Sequence, residues 1–167
     1  MKRLLIIGNA QHGKDTAAEY LRDSHGFAFA DSSRKALEIF LFAKLQPRYG
    51  YRTIDEAYQD RVNHRAEWYD EIALFNTPDR AHLAKMIMQE ASMYVGMRSR
   101  AELLACREQG VFDLVVWIDA AKRKPLEASS SMTIAADMAD VIIDNNGPEV
   151  WLGPQLDMLV EYLSVRP

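Results

Sequence analysis

Arg3-Leu4-Leu5-Ile6-Ile7-Gly8-Asn9-Ala10-Gln11-His12-Gly13-Lys14-Asp15-Thr16 opens with an apolar run and breaks at a glycine. Leu4 to Ile7 has the unbroken apolar character of a strand covered on both faces in a parallel sheet. Thr16 to Arg22 has helical character, and Gly26 is a suitable stop for that helix. Between them, Gly8 to Lys14 matches the G-x-x-x-x-G-K pattern of a phosphate-binding loop, in the strand–turn–helix context the pattern requires. The glycines let the backbone wrap a phosphate with its amides turned inward at a helix start, and Lys14 adds a mobile cation. Gly8, Asn9, Ala10, Gln11, His12, Gly13, Lys14, Asp15 and Thr16 are therefore the expected nucleotide cradle. A bare glycine turn with an incidental lysine is the alternative.

Asp15 stands where such loops ordinarily carry a serine or threonine whose hydroxyl binds magnesium. A carboxylate there holds a hard cation directly or through water, with Thr16 left for a phosphate oxygen. It is equally the acidic charge that any helix start favours.

Outward from this loop, strands and helices alternate. Phe27 to Ala30 reads as a second short strand, and Ser92–Val95, Phe112–Ile118 and Ala139–Ile143 as three more. Thr53-Ile54-Asp55-Glu56 and Ser99-Arg100-Ala101-Glu102 are capping boxes, the second starting a helix that stops at Gly110. Thr77-Pro78 reads as an N-cap and first-turn proline for a helix to about Glu90, and a closing helix runs from about Glu149 to Ser164. The pattern predicts one α/β domain over residues 1–167: a three-layer α/β/α fold with a mostly parallel central sheet.

With 167 residues, 49% hydrophobic and 26% charged, the chain has room for one globular domain. Its 20 basic and 24 acidic side chains give a net charge of −4, which argues against holding nucleic acid mainly by phosphate neutralisation. The lone Cys106 excludes an intramolecular disulfide and multi-cysteine zinc sites, and fits a reducing compartment. Leu4–Ile7 is too short for a signal peptide and Leu114–Ile118 for a membrane span. A cytoplasmic protein without a membrane partner is expected.

Gly13-Lys14-Asp15-Thr16 resembles the G-K-D-T form of the loop in bacteriophage deoxynucleoside monophosphate kinases, and a related G-K-D form occurs in phosphomevalonate kinases. Similar blocks follow in the phage family's order: Phe29-Ala30-Asp31-Ser32-Ser33-Arg34-Lys35, then residues 94–102, 112–120 and 139–147. The resemblance implies a P-loop kinase fold with a helical acceptor-binding insertion, about residues 33–90, and a short lid, about 121–136. It further implies ATP and Mg2+ on the donor side, a nucleoside monophosphate as acceptor, and the host cytoplasm as location.

Other residues extend the candidate site. On one continuous helix from Thr53 to about Phe75, at about 100° per residue, Ile54, Tyr58, Val62, Tyr69, Ile72 and Ala73 share an apolar arc. Arg61 and Arg65 fall within or beside it, next to Trp68, with Glu56, Asp60, Glu67 and Glu71 opposite. A guanidinium turned inward needs an anion, either a structural carboxylate or an acceptor phosphate. Arg98 follows a strand end, where ligands of open α/β sheets collect, and the resemblance implies a substrate-facing arginine there. Related kinases often carry an aspartate at this strand end. Val95-Gly96 replaces it, leaving Asp15, Asp31 and Asp119 as substitutes. Lys122-Arg123-Lys124 leads into the lid position; it is a charge-stabilising element for phosphoryl transfer or a solvated basic turn. The expected set is Lys14, Arg98 and Arg123 as catalytic residues. Asp31, Arg61, Arg65, Trp68 and Arg98 are expected at the acceptor, and Asp15 and Thr16 at the metal.

A GTPase is disfavoured, because no N-K-x-D sequence exists and Asp144-Asn145-Asn146-Gly147 comes after the last strand. Three rivals to a free nucleoside monophosphate kinase stay open. They are a kinase for 5-hydroxymethyluracil in DNA, a small-metabolite kinase and a non-catalytic nucleotide binder. The assembly state, monomer or homodimer, is also open.

Overall fold

A computed structural model describes residues 2–129 and 132–165. The expected lid includes Ser130 and Ser131, which lie outside the described residues. Strands β1 (Leu4–Ile7), β2 (Phe29–Asp31), β3 (Met93–Val95), β4 (Leu114–Asp119) and β5 (Val141–Asp144) form one sheet in the order β2-β3-β1-β4-β5. Every adjacent pair is parallel. The helices are α1 (Lys14–His25), α2 (Ser32–Ala36), α3 (Phe42–Tyr49), α4 (Ile54–Asp60), α5 (Arg65–Phe75), α6 (His82–Ile87), α7 (Arg100–Glu108) and α8 (Leu152–Val165).

The lack of polar alternation in β1 and β4 has a direct cause: both faces of the sheet are covered. Leu4, Ile6, Val95, Leu114, Val116 and Ile118 turn toward α1 and α8, meeting Ala17, Ala18, Leu21, Leu152, Leu156 and Leu159. Leu5, Ile7, Tyr94, Val115 and Trp117 turn the other way, toward Leu83 and Ile87 of α6 and Leu103 and Cys106 of α7. Each such aliphatic side chain contributes about 1.5–3 kcal/mol by burial. This is the three-layer α/β/α architecture expected from the alternation. Among the described residues no helix is long and apolar enough to cross a membrane.

In the chain, helices α2 to α6 all fall between β2 and β3. A π-helical turn at Leu37–Leu41 joins α2 to α3, and Leu37, Leu41, Leu45, Ala57 and Trp68 form a separate small core beneath them.

Polar side chains redirect the helices at two points, and at a third a cap is only half made. The single helix expected from Thr53 to Phe75 is broken: α4 ends at Asp60, Arg61–Asn63 is a 3-10 turn, and α5 begins at Arg65. Asp60 holds the break by accepting from Tyr51 Oη (2.5 Å), Asn63 Nδ2 (2.6 Å) and His64 Nε2 (3.0 Å). The turn resets the helical phase, so the single apolar arc does not survive. Val62 and Tyr69, assigned to that arc, are exposed, while Trp68 is buried. The helix expected from Thr77 starts instead at His82. Thr77 Oγ1 donates back to the Ala73 carbonyl (2.9 Å), closing α5, while Asp79 Oδ1 accepts from the Ala81 amide (3.0 Å). At the Ser99 box only half the exchange is made. Ser99 Oγ accepts from the Glu102 amide (3.4 Å), but the Glu102 carboxylate takes the Tyr94 hydroxyl (3.3 Å).

Candidate active site

β1, β2, β3 and β4 run parallel, so the segments after them emerge at one edge of the sheet, where open α/β folds bind ligands. The turn after β1 is shaped by two close approaches. Gly8 has φ +151°, and a Cβ there would lie 2.5 Å from the Ile118 carbonyl oxygen. Gly13 has φ +96°, and its Cβ would lie 2.4 Å from Asn145 Nδ2. Neither position accommodates a side chain. Gln11, at the exposed crest, takes φ 60°, the left-handed region that costs a non-glycine residue about 1–2 kcal/mol.

The loop is braced from beneath. His12 is fully buried; its Nδ1 accepts from the Ala120 amide (3.0 Å) and its Nε2 meets the Pro125 carbonyl (3.1 Å). An amide only donates and a carbonyl only accepts, so these partners select the Nε2–H tautomer. Buried Asn145 donates from Nδ2 to the His12 carbonyl (2.9 Å). Helix α1 then starts at Lys14 and stops at Gly26, whose φ of 72° and amide bond to the Arg22 carbonyl (3.0 Å) make the expected C-cap.

Lys14 lies at the mouth of this turn, with Nζ donating to the Asn9 carbonyl (2.9 Å). Desolvation holds its pKa below the usual lysine value; Arg98 adds to that effect, while Asp15 and Glu127 oppose it. Lys14, at the start of α1, and Arg98, on the segment after β3, are tied to neighbouring residues of the loop: Lys14 bonds the Asn9 carbonyl directly, and Arg98 reaches the Ala10 amide through Glu127. Glu127 joins them: Oε2 accepts from the Ala10 amide (2.7 Å), and Oε1 pairs with Arg98 Nη1. No feature of the local sequence singles out Glu127.

A second group forms at the end of β2 and in the helical insertion. Asp31, at the end of β2, caps α2 by accepting from the Arg34 amide (2.7 Å). Asp31 and Asp15 both bear on the Tyr58 hydroxyl, whose pKa is raised first by burial and then by the Asp31 charge; Arg61 opposes. The Tyr58 ring lies near two guanidinium groups, Arg61 at 4.8 Å and Arg34 at 5.6 Å. Arg61 also lies 6.0 Å from the Trp68 ring. Trp68 is buried, and its Nε1 has no hydrogen-bond partner. Tyr58 and Arg34 were not among the sequence candidates. For Tyr58 a signal existed, its place in the apolar arc beside Arg61, but an aromatic residue in such an arc reads as core.

The remaining candidates make other contacts. Arg65 is exposed at the start of α5. Arg123 is exposed, with Nε donating to the Asn145 carbonyl (2.6 Å), on the side of the loop where Asn145 braces it. Asp119 is engaged in its own turn, accepting from the Ala121 amide (3.3 Å) and Asn146 Nδ2 (2.9 Å). Thr16 is exposed in the first turn of α1, beside Asp15.

No protein-family model and no curated protein matches the chain. Among solved structures, the chain is similar to shikimate kinase from Aquifex aeolicus, with a TM-score of 0.54, 15% identity and 98% of both chains covered. It is also similar to shikimate kinase from Bacteroides thetaiotaomicron, with a TM-score of 0.52, 10% identity, 98% of this chain and 99% of that one covered. A Thermus thermophilus protein, TT1252, matches with a TM-score of 0.51, 17% identity and 97% of each chain covered. This likeness establishes the fold. The chain has the P-loop kinase fold over nearly its whole length.

Proposed function

We propose that this protein is a kinase that transfers the terminal phosphoryl group of ATP to a nucleoside monophosphate, a deoxynucleotide by its resemblance to the phage enzymes. The observation that carries the reading is a glycine-shaped loop at which Lys14 bonds the Asn9 carbonyl and Glu127 links Arg98 to the Ala10 amide. In this reading the loop amides and Lys14 hold the donor phosphates. Asp15, Thr16 and Asp31 supply hard oxygen donors of the kind magnesium takes in company with phosphates, and the ion, when bound, draws charge from them. Arg98 and Arg61 serve the acceptor phosphate. Arg61 suits an anion joined to an aromatic base, because it makes no ion pair among the described residues and lies beside two aromatic rings. No general base is needed, since an acceptor phosphate is already an anion at neutral pH.

One observation favours a second reading. Asp31 places a carboxylate at the end of β2, beside Tyr58, where it would serve as base toward a hydroxyl acceptor. That chemistry fits a small-metabolite kinase or a kinase for 5-hydroxymethyluracil in DNA.

The test is ADP release from magnesium-ATP over a panel of ribo- and deoxynucleoside monophosphates, shikimate, gluconate, and DNA containing 5-hydroxymethyluracil. Turnover with free monophosphates is the expected outcome. Turnover confined to a metabolite or to the modified DNA moves the protein to the second reading. No turnover on any acceptor, with ATP still bound, leaves a nucleotide binder.

A further inference from the structure

Glu127 lies on the segment after β4 and reaches back to the loop after β1. One carboxylate oxygen accepts from the Ala10 amide (2.7 Å), and the other pairs with Arg98. The Glu127 side chain is only 15% exposed, and its charge also acts on Lys14. A single carboxylate thus engages a backbone amide of the loop and an arginine, beside the loop lysine. These are the three kinds of group by which such a site holds a phosphate.

The segment carrying Glu127 is fastened to the loop by separate, uncharged contacts. The Pro125 carbonyl meets His12 Nε2 (3.1 Å), and the Glu127 amide donates to Asn9 Oδ1 (3.0 Å). Neither contact uses the carboxylate, so the side chain is free to swing while the segment stays in place. A carboxylate and a donor phosphate cannot share the Ala10 amide, because two anions in contact at a half-buried site repel strongly.

We propose that Glu127 is a built-in plug of the phosphate loop, which donor phosphates displace and which, on leaving, frees Arg98 for the acceptor. The proposal rests on the donor-site reading above and adds to it an order of events. In the empty protein the positive charge of the site is neutralised from within. Nucleotide binding works against that contact, and by linkage the acceptor gains an arginine only once the donor is seated.

Calorimetric titration with ADP, on the wild type and on Glu127→Gln and Glu127→Ala, tests it. Glutamine keeps the size and an acceptor oxygen but loses the charge. Both variants should bind ADP more tightly, by about tenfold, within the usual range of coupling between ligands. ADP affinity equal to or weaker than that of the wild type overturns the plug, because Glu127 then helps to hold nucleotide or plays no part. A crystal structure of the wild type with ADP gives an answer independent of any variant. The proposal requires a phosphate oxygen on the Ala10 amide with Glu127 turned away, and a carboxylate still on that amide overturns it. Wild type and variants that all fail to bind ADP overturn the donor site itself, and the plug with it. Wild type that binds ADP as well as the variants do overturns the plug alone.

Discussion

The loop at Gly8–Lys14 and the helices over residues 32–75 both spring from carboxyl ends of strands in one sheet, yet different forces hold them. The loop is tied into the core. Backbone passes close to Ile118 and Asn145, and His12 is fully buried beneath it. The helical insertion rests on a small core of its own and is laced at the surface by ion pairs: Arg34–Asp55, Lys44–Glu71, Arg48–Glu67 and Lys35–Glu90. Exposed pairs of this kind contribute about 0–1 kcal/mol each. The loop is thus fixed in place by the packing of the sheet itself. The insertion meets the sheet-side core through Ala36, Ile39, Phe40, Ile72 and Phe75, while its outer helices are held by their own small core and by ion pairs that are individually weak.

That contrast breaks most sharply at Lys14. Lys14→Ala should lower kcat by about 10²–10³-fold, the loss usual for one charge-stabilising donor, with the melting temperature hardly moved. Steady-state kinetics beside thermal melting would show both. Gly13→Ala should damage fold and function together. Its Cβ meets Asn145 at 2.4 Å with φ at +96°, and a loss of about 2–4 kcal/mol in denaturant unfolding is expected. Arg61→Ala should raise the acceptor KM about tenfold or more while leaving the KM for ATP unchanged, since a charge-assisted hydrogen bond is worth about 1.5–3 kcal/mol.

On the insertion side, Asp60→Ala removes the group that accepts from Tyr51, Asn63 and His64. About 1–2 kcal/mol of local stability should go with it, read as faster amide exchange over residues 54–75 and unchanged exchange in β1. The last effect touches stability alone and concerns Glu102. Desolvation raises its pKa to about 7 from the usual 4.5, with the Tyr94 hydroxyl opposing. Because the folded protein holds this proton more tightly than the unfolded chain, the contribution is full below pH 4.5 and is lost as pH rises through 7. Denaturant unfolding at pH 5 and pH 8 should show a decline that Glu102→Gln lacks, of the order of 1–3 kcal/mol.

The same contrast explains what the sequence disclosed. β1, β4 and the loop between β1 and α1 were legible because their signals are local: unbroken apolar runs, two glycines, one lysine. The stop at Gly26 and the caps at Thr53 and Ser99 were legible for the same reason. The break after Asp60 was not, because it depends on where Tyr51 and His64 direct their polar atoms once packed. Thr77 has the composition of an N-cap, but the direction of its hydroxyl made it the end of the preceding helix. Glu127 was hidden most deeply. Its partners Ala10 and Arg98 lie 117 and 29 residues away in the chain, and only the parallel sheet brings them together.

The central claim is that the donor site is a property of the sheet and its loop, independent of the insertion. Calorimetric titration of magnesium-ATP into wild type and Asp60→Ala, side by side, tests it most directly. Equal affinity in the two, with Lys14→Ala markedly weaker, is the predicted result. An ATP affinity that falls in Asp60→Ala as far as in Lys14→Ala would show that the insertion helps build the donor site, and the division drawn here would be wrong.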